Sequence, residues 1–387
     1  MRSRMLKHVS ILAVSFVSLS LLGTSCPFGL KIGAYLDLHA SNIDKYVGDF
    51  TPATSEPSGD WTQHTFDTAG GDGPLCINGS PFTVFTRARN PFNLVIFLNG
   101  GGACWQGFYF CSLTASTTPP GPSGIFADSF DAGGGNIIDN PFKDYSMMFV
   151  SYCDGSVFTG DNSLADASFP GGPTRHHRGL RNLTAAMDLA KDEFPLATRV
   201  VLSGSSAGGF GVAAFAPFVF RFVFGNFPRL YVLNDSGPAV TNLSQTTVIA
   251  TRNADWQQNQ FIPSTCTDCT PENQPVELVE WMLENDTQVR EALYSTDGDA
   301  TIRFFLSVPT QTAYRDLLLT THDPVNAAFP TRYKRFIKSG STAHTMLGSS
   351  LFYTSSIDGV ALHQWTKDFA NQKPGWVDLI EDFIPVP

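Results

Sequence analysis

Charge is sparse in this chain: only 16% of its 387 residues are Asp, Glu, Lys or Arg, while 42% are hydrophobic. That balance excludes the charge-rich, apolar-poor composition of disordered chains and leaves ample material for a large core. Basic residues are the scarcer sign, 25 against 35 acidic, for a formal charge of −10. A surface this acidic is a poor partner for nucleic acid or other polyanions. Long apolar runs are also missing, with one exception near the start. The run Ile11–Leu22 follows Arg2, Arg4 and Lys7 and precedes Gly23, Thr24 and Ser25. It falls short of the roughly 20 residues a bilayer requires, so residues 1–25 are expected to be a signal peptide and not a spanning helix. The segment Leu21-Leu-Gly-Thr-Ser-Cys26 resembles a bacterial lipoprotein processing site in which Cys26 receives lipid, although Gly23 stands where an aliphatic residue is usual. The expected location is secreted, periplasmic or at the cell surface, with an outer-membrane lipoprotein as one form.

Cysteine is scarce as well. Beyond Cys26 there are six: Cys76, Cys104, Cys111, Cys153, Cys266 and Cys269. An even number outside the cytoplasm reads as disulfides. Proximity pairs Cys104 with Cys111 and Cys266 with Cys269, which leaves Cys76 with Cys153. A redox or zinc reading of Cys266-Thr-Asp-Cys269 lacks a second cysteine pair or a histidine cluster, so no metal is expected.

What is present is a repeated pattern of short β-rich apolar runs alternating with helical stretches. The runs are Asn93–Leu98, Met147–Tyr152, Arg199–Ser203, Leu230–Asn234, Ala292–Ser295 and Tyr333–Lys338; helices are expected over Gly179–Phe194, Ala207–Phe220 and Pro275–Glu284. Such alternation predicts an α/β fold with a mostly parallel sheet and helices on both faces, its site at the carboxyl ends of the strands. Residues 26–60 read as an N-terminal segment and linker, because Thr51–Asp60 is rich in Pro, Ser, Thr and Gly. Residues 61–387 read as one catalytic domain, expected to be monomeric.

Two Gly-rich turns follow predicted strands. Gly204-Ser-Ser206-Ala-Gly208-Gly leads from a strand into a helix, the order of a nucleophile elbow, and makes Ser206 the candidate nucleophile. The bare pattern also suits an inert helix-entry turn; Ser205 lies one place off it. Asn99-Gly-Gly-Gly-Ala-Cys-Trp105 exposes backbone N–H groups that can approach a substrate oxygen, and it lacks the Gly-Lys-Ser/Thr or Gly-x-Gly-x-x-Gly of a nucleotide loop. These two parts predict a late histidine, and His344 stands in a small-residue loop after the last strand. His363 lies in an expected amphipathic helix, and His176 and His177 precede Ser206. Three acids fall between Ser206 and His344 beside strand-like runs: Asp299, favoured for its place at a helix start, Asp297 and Asp235. Each could instead be an Asx turn or helix cap.

Taken together, Asn99–Trp105, Tyr152-Cys-Asp-Gly155, His177-Arg-Gly179 with Asn182, Gly204–Gly211, Asp235-Ser-Gly-Pro238, Asp299–Phe305 and His344-Thr345 resemble the pectin acetylesterase family, which has Notum-like animal relatives. The resemblance implies an α/β-hydrolase-like fold, a triad of Ser206, Asp299 and His344, and an oxyanion hole at Gly101, Gly102 and Ala207. It implies no cofactor. It points to ester substrates such as O-acetyl groups on a polysaccharide, with longer acyl chains and non-catalytic binding as the competing readings. Trp105, Phe108 and Tyr109 would offer a stacking surface for a sugar. Two departures stand out: Trp105 is displaced relative to the Gly-Gly-Gly-Trp-Cys of plant members, which weakens substrate inference from plants, and Cys153-Asp-Gly-Ser156 replaces a more usual Cys-Thr-Gly-Asp, which bears on that loop's contacts and not on the chemistry.

Overall fold

The computed structural model describes residues 29–67 and 71–386; the predicted leader and Cys26 lie outside them. Ten strands form one sheet in the order Thr54–Ser58, Trp61–Phe66, Phe82–Arg87, Tyr145–Val150, Asn90–Leu98, Arg199–Ser205, Arg229–Asp235, Arg290–Thr296, Tyr333–Lys338 and Leu379–Ile380. The first three joints are antiparallel. All later joints are parallel.

Strand alternation divides the core between two faces. Val200 and Leu202 point into one layer, with Leu183 and Met187 of the helix Gly179–Glu193 and Phe220 of the helix Ala216–Phe224. Val201 points the other way, toward Trp365 and Phe369 of the helix Leu362–Ala370. The sheet is therefore covered on both sides, as an α/β-hydrolase-like fold requires. Among the described residues no single helix is long and apolar enough to cross a membrane.

Two local expectations need correction. The stretch read as a linker contains the edge strand Thr54–Ser58, paired residue for residue with Trp61–Phe66. Four of its five side chains are exposed, so it shows no buried alternation in sequence, and Pro57 is tolerated at an edge. The preceding helix Ile32–Ala40 buries Ala34 and Leu38 against the core and packs Tyr35 at a tilt against Phe222, ring centres 4.6 Å apart. The single helix expected over Ala207–Phe220 is instead two, Ala207–Ala213 and Ala216–Phe224, bent by 58°. Pro217 at the start of the second has no N–H to continue the first.

The chain leaves Asn90–Leu98 for a strand on one side, then returns to place Arg199–Ser205 on the other. The crevice at such a switch point opens at the carboxyl ends of these strands. Leu98 pairs with Gly204, so Gly100–Gly102 and Ser206 leave the sheet side by side.

Candidate active site

Ser206 sits between its strand and helix with φ 57° and ψ −119°, a conformation side chains rarely adopt. Its neighbours explain how the chain tolerates it. A Cβ on Gly204 would lie 2.3 Å from the Gly208 carbonyl, and one on Gly208 would lie 2.0 Å from the Leu98 carbonyl. The elbow is thus packed backbone against backbone, and only glycine fits. The Ser206 N–H donates to the Asp235 carbonyl at 2.8 Å. Ser205 is already engaged, its hydroxyl donating to Asp235 Oδ2 at 2.6 Å.

The glycine loop lies against this turn: a Cβ on Gly100 would come within 2.8 Å of Ser206 Cβ. Gly102, at φ 79°, opens the hairpin Gly102–Trp105/Phe108–Cys111, where a Cβ would strike the Phe110 carbonyl at 1.9 Å. Cys104–Cys111 closes that hairpin, and Cys76–Cys153 and Cys266–Cys269 are the other disulfides. From beneath, the Gln106 N–H donates to Asp255 at 2.6 Å, Trp256 Nε1 to the Cys104 carbonyl at 2.8 Å and the Tyr152 hydroxyl to the Gly102 carbonyl at 2.8 Å. Asp255 is held in turn by Arg175, a buried guanidinium shared with Asp166 at 2.7 Å each. This scaffold was not foreseen from sequence, because its members are far apart in the chain and form no motif. Gly102, Ala207 and Trp105 line the cavity that Ser206 faces; Gly101 does not, and a Cβ there would meet the Tyr152 ring at 2.5 Å. Ala207 opens its helix, where first-turn N–H groups have no intrahelical acceptor.

His344 Nδ1 is 2.7 Å from Asp299 Oδ2. Asp299 is fully buried, and its other oxygen caps the helix Ala300–Leu306 by accepting from the Ile302 N–H at 2.8 Å. The other two acids are committed elsewhere. Asp297 accepts from Gln311, Arg315 and Ser339. Asp235 accepts from Ser205 and from the N–H groups of Met346 and Leu347, and burial pushes its carboxyl up to about 6 despite those donors. Both acids thereby fix the loop that carries His344. Thr296 adds a hydrogen bond to the Ala343 carbonyl at 2.6 Å, and Ser236 donates to the carbonyl of His344 itself. Adjacent residues, Asp235 and Ser236, therefore hold the serine backbone and the histidine backbone. His344 Nε2 is buried and has no partner among the described residues. No hydrogen bond joins it to the Ser206 hydroxyl.

The remaining histidines are structural in their contacts. His177 is buried beside Arg175, and burial, then that charge, lowers it to about 4. His322 is buried between Tyr333 and the Pro238 carbonyl. His363 lies on the helix Leu362–Ala370, away from Ser206's cavity lining. Among the described residues no three His, Cys, Asp or Glu side chains gather as a metal site would require.

Beside Ser206 lies a cavity of about 130 Å³ whose walls are chiefly apolar, including Phe210, Phe215, Val240, Trp256 and Ile302. The break between the two helices after Ser206 contributes Ala213, Ala214 and Phe215 to it.

Comparison with known proteins fits this arrangement. The chain is 31% identical over 152 residues to pectin acetylesterase 11 of Arabidopsis thaliana, an alignment spanning 37% of each protein. The fold is similar to the Wnt deacylase Notum from Drosophila, with a TM-score of 0.59 and 15% identity over 81% of this chain and 94% of that one. The pectinacetylesterase family model matches residues 56–278, which include the glycine loop and the elbow and stop before Asp299 and His344. More than half of the chain is thus matched, and the protein belongs to the pectinacetylesterase family.

Proposed function

We propose that the protein is a serine carboxylic ester hydrolase in which Ser206 is the nucleophile, His344 the general base and Asp299 its orienting acid. The observation that carries this is the 2.7 Å contact of His344 Nδ1 with buried Asp299, which leaves Nε2 unpartnered in a loop tied to the same two residues as the elbow. Asp299 holds the proton on Nδ1, so Nε2 is the basic nitrogen and accepts the Ser206 proton as the hydroxyl attacks the acyl carbon. Charge gathering on the carbonyl oxygen meets backbone N–H groups from Gly101, Gly102 and Ala207. Protonated His344 returns its proton to the departing alcohol. Water, deprotonated by the same nitrogen, then splits the acyl-enzyme and frees the acid. The absent Ser206–His344 hydrogen bond is compatible with this, since such contacts often tighten only with substrate bound.

For the substrate, kinship with a plant pectin acetylesterase favours O-acetyl groups on a polysaccharide such as pectin, approached along Trp105 and Phe108. A second reading, longer acyl chains, is favoured by the mostly apolar cavity beside Ser206. Three disulfides suit a secreted or surface-anchored protein, with Cys26 as the lipid site if anchored. The test is fluorophosphonate labelling followed by a chain-length series of nitrophenyl esters. Labelling should vanish in Ser206→Ala and persist in Ser205→Ala, with ester turnover in Ser206→Ala down by roughly three to six orders of magnitude. Labelling that survives Ser206→Ala removes the nucleophile assignment, and a rate maximum at acetyl or at longer chains separates the two substrates.

A further inference from the structure

One cation in the wall of the cavity beside Ser206 has no counter-charge among the described residues. Arg252, on the helix Thr246–Trp256, lines the cavity that Ser206 faces, and it also borders the two neighbouring hollows. Its guanidinium lies over the Trp256 ring, 5.5 Å from the ring centre. Its Nε is shielded from solvent with no hydrogen-bond partner among the described residues. Arg87 and Arg178 also lack an ion pair among the described residues, but each donates to a backbone carbonyl, of Phe126 and of Gly73. Arg175, Arg181, Arg221, Arg315 and Arg335 are each paired with aspartate, although acidic residues are plentiful enough to have supplied one here too. Among the described arginines that are not fully exposed, Arg252 alone has no side-chain hydrogen bond. Burial lowers its guanidinium to about 10, so it stays charged at neutral pH.

A partly buried guanidinium whose Nε is shielded, set in a mostly apolar wall without an acceptor, is unfavourable unless something brings the acceptor to it. Its planar donor fork matches carboxylate geometry. The rest of the cavity is mostly apolar, with Gln258 and Thr159 as polar neighbours that are hydrogen-bonded to each other at 2.5 Å. The terminal nitrogens are thus open to an acceptor brought by the ligand. We propose that Arg252 anchors a carboxylate on the substrate, making this esterase selective for acidic esters. This rests on the serine-esterase reading for where the ester lies. The carboxylate can belong to the acyl part, as in a dicarboxylic half-ester, or to the alcohol part, as in an O-acetylated uronate; the chemistry that Arg252 recognises is the same.

The test compares kcat/KM for paired substrates in the full-length protein, Arg252→Gln and Arg252→Lys. One pair is the nitrophenyl monoester of adipate against the nitrophenyl ester of hexanoate. The other is an O-acetylated galacturonate oligomer against the same oligomer with its carboxyls methylated. In the wild type one acidic member should be favoured by on the order of ten- to a hundredfold, that ratio should collapse in Arg252→Gln, and Arg252→Lys should fall between. The pair that responds identifies the bearer of the carboxylate. Because each readout is a ratio, a general loss of activity does not imitate it. Calorimetric titration of Ser206→Ala with adipate and with the deacetylated oligomer needs no hydrolysis, so failure of the esterase reading is told apart from failure of the anchor. The proposal is overturned if neither acidic member is preferred, if the ratio is unchanged in Arg252→Gln, or if neither ligand binds Ser206→Ala.

Discussion

The strand Arg290–Thr296 has buried carboxyls at both ends, and the molecule treats them in opposite ways. At its start Glu291 is buried and accepts no hydrogen bond among the described residues; burial alone pushes it up to about 8. Just past its other end, Asp297 has an arginine, a glutamine and a serine as donors, and Asp299 has a helix N–H and a histidine. The difference shows how the fold spends donors. Past the carboxyl end of this strand Asp297 and Asp299 are supplied with donors, while at its amino end Glu291 is left to take up a proton.

The comparison breaks first at Asp299 if it is wrong. Asp299→Asn keeps the shape but removes the charge and presents an amide to Nδ1, so kcat should fall by about four orders of magnitude near neutral pH. Retention of a tenth or more of the wild-type rate would mean that Asp299 is only a helix cap.

Asp297→Asn should separate holding the loop from orienting the ring. Removing one partner of the buried Arg315 pair is expected to lower the unfolding free energy by about 3 kcal/mol in urea titrations. Activity of the folded fraction should stay within about tenfold of wild type. A loss like that of Asp299→Asn would instead put Asp297 in the reaction.

The smallest effect on turnover belongs to the amino edge. Because the folded state binds the Glu291 proton more tightly than the unfolded chain does, its contribution to stability is fully present below about 4.5 and is lost as pH rises toward about 8. Glu291→Gln should therefore leave kcat unchanged and raise Tm at pH 8 by about 5 °C relative to wild type, with little difference at pH 4.5. A Tm offset that does not vary with pH would show that Glu291 is solvated.

How much of this was legible in the sequence follows from which forces act locally. The elbow could be read because its constraint is steric and lies within one turn: Gly204 and Gly208 are required by each other and by Leu98. Strands buried on both faces were visible as apolar runs, and Tyr333–Lys338 has the bounds that its pattern predicts. The edge strand Thr54–Ser58 was hidden because it buries almost nothing. Distinguishing Asp299 from Asp235 and Asp297 needed three dimensions, since each precedes or follows a strand and each suits a turn. Asp235 turned out to serve three distant donors at Ser205, Met346 and Leu347, a role with no sequence pattern. The cavity and unpaired Arg252 were likewise invisible, because they depend on a helix break and on what does not lie nearby.

The placement of the tethers along the chain also sets the order in which their partners become available during synthesis. A chain emerging from its N-terminal end can pair Cys76 with Cys153, 77 residues apart, and so latch the glycine loop's neighbourhood before the strand Arg199–Ser205 exists. The serine turn comes next, but the groups that hold His344 are recruited from Asp235, Ser236, Thr296 and Asp297 and close only after Tyr333–Lys338 has joined the sheet. Under the proposed assignment, partly made chains would thus contain the serine turn without the His344 loop beside it, and hydrolysis would begin only once the last of these strands had docked.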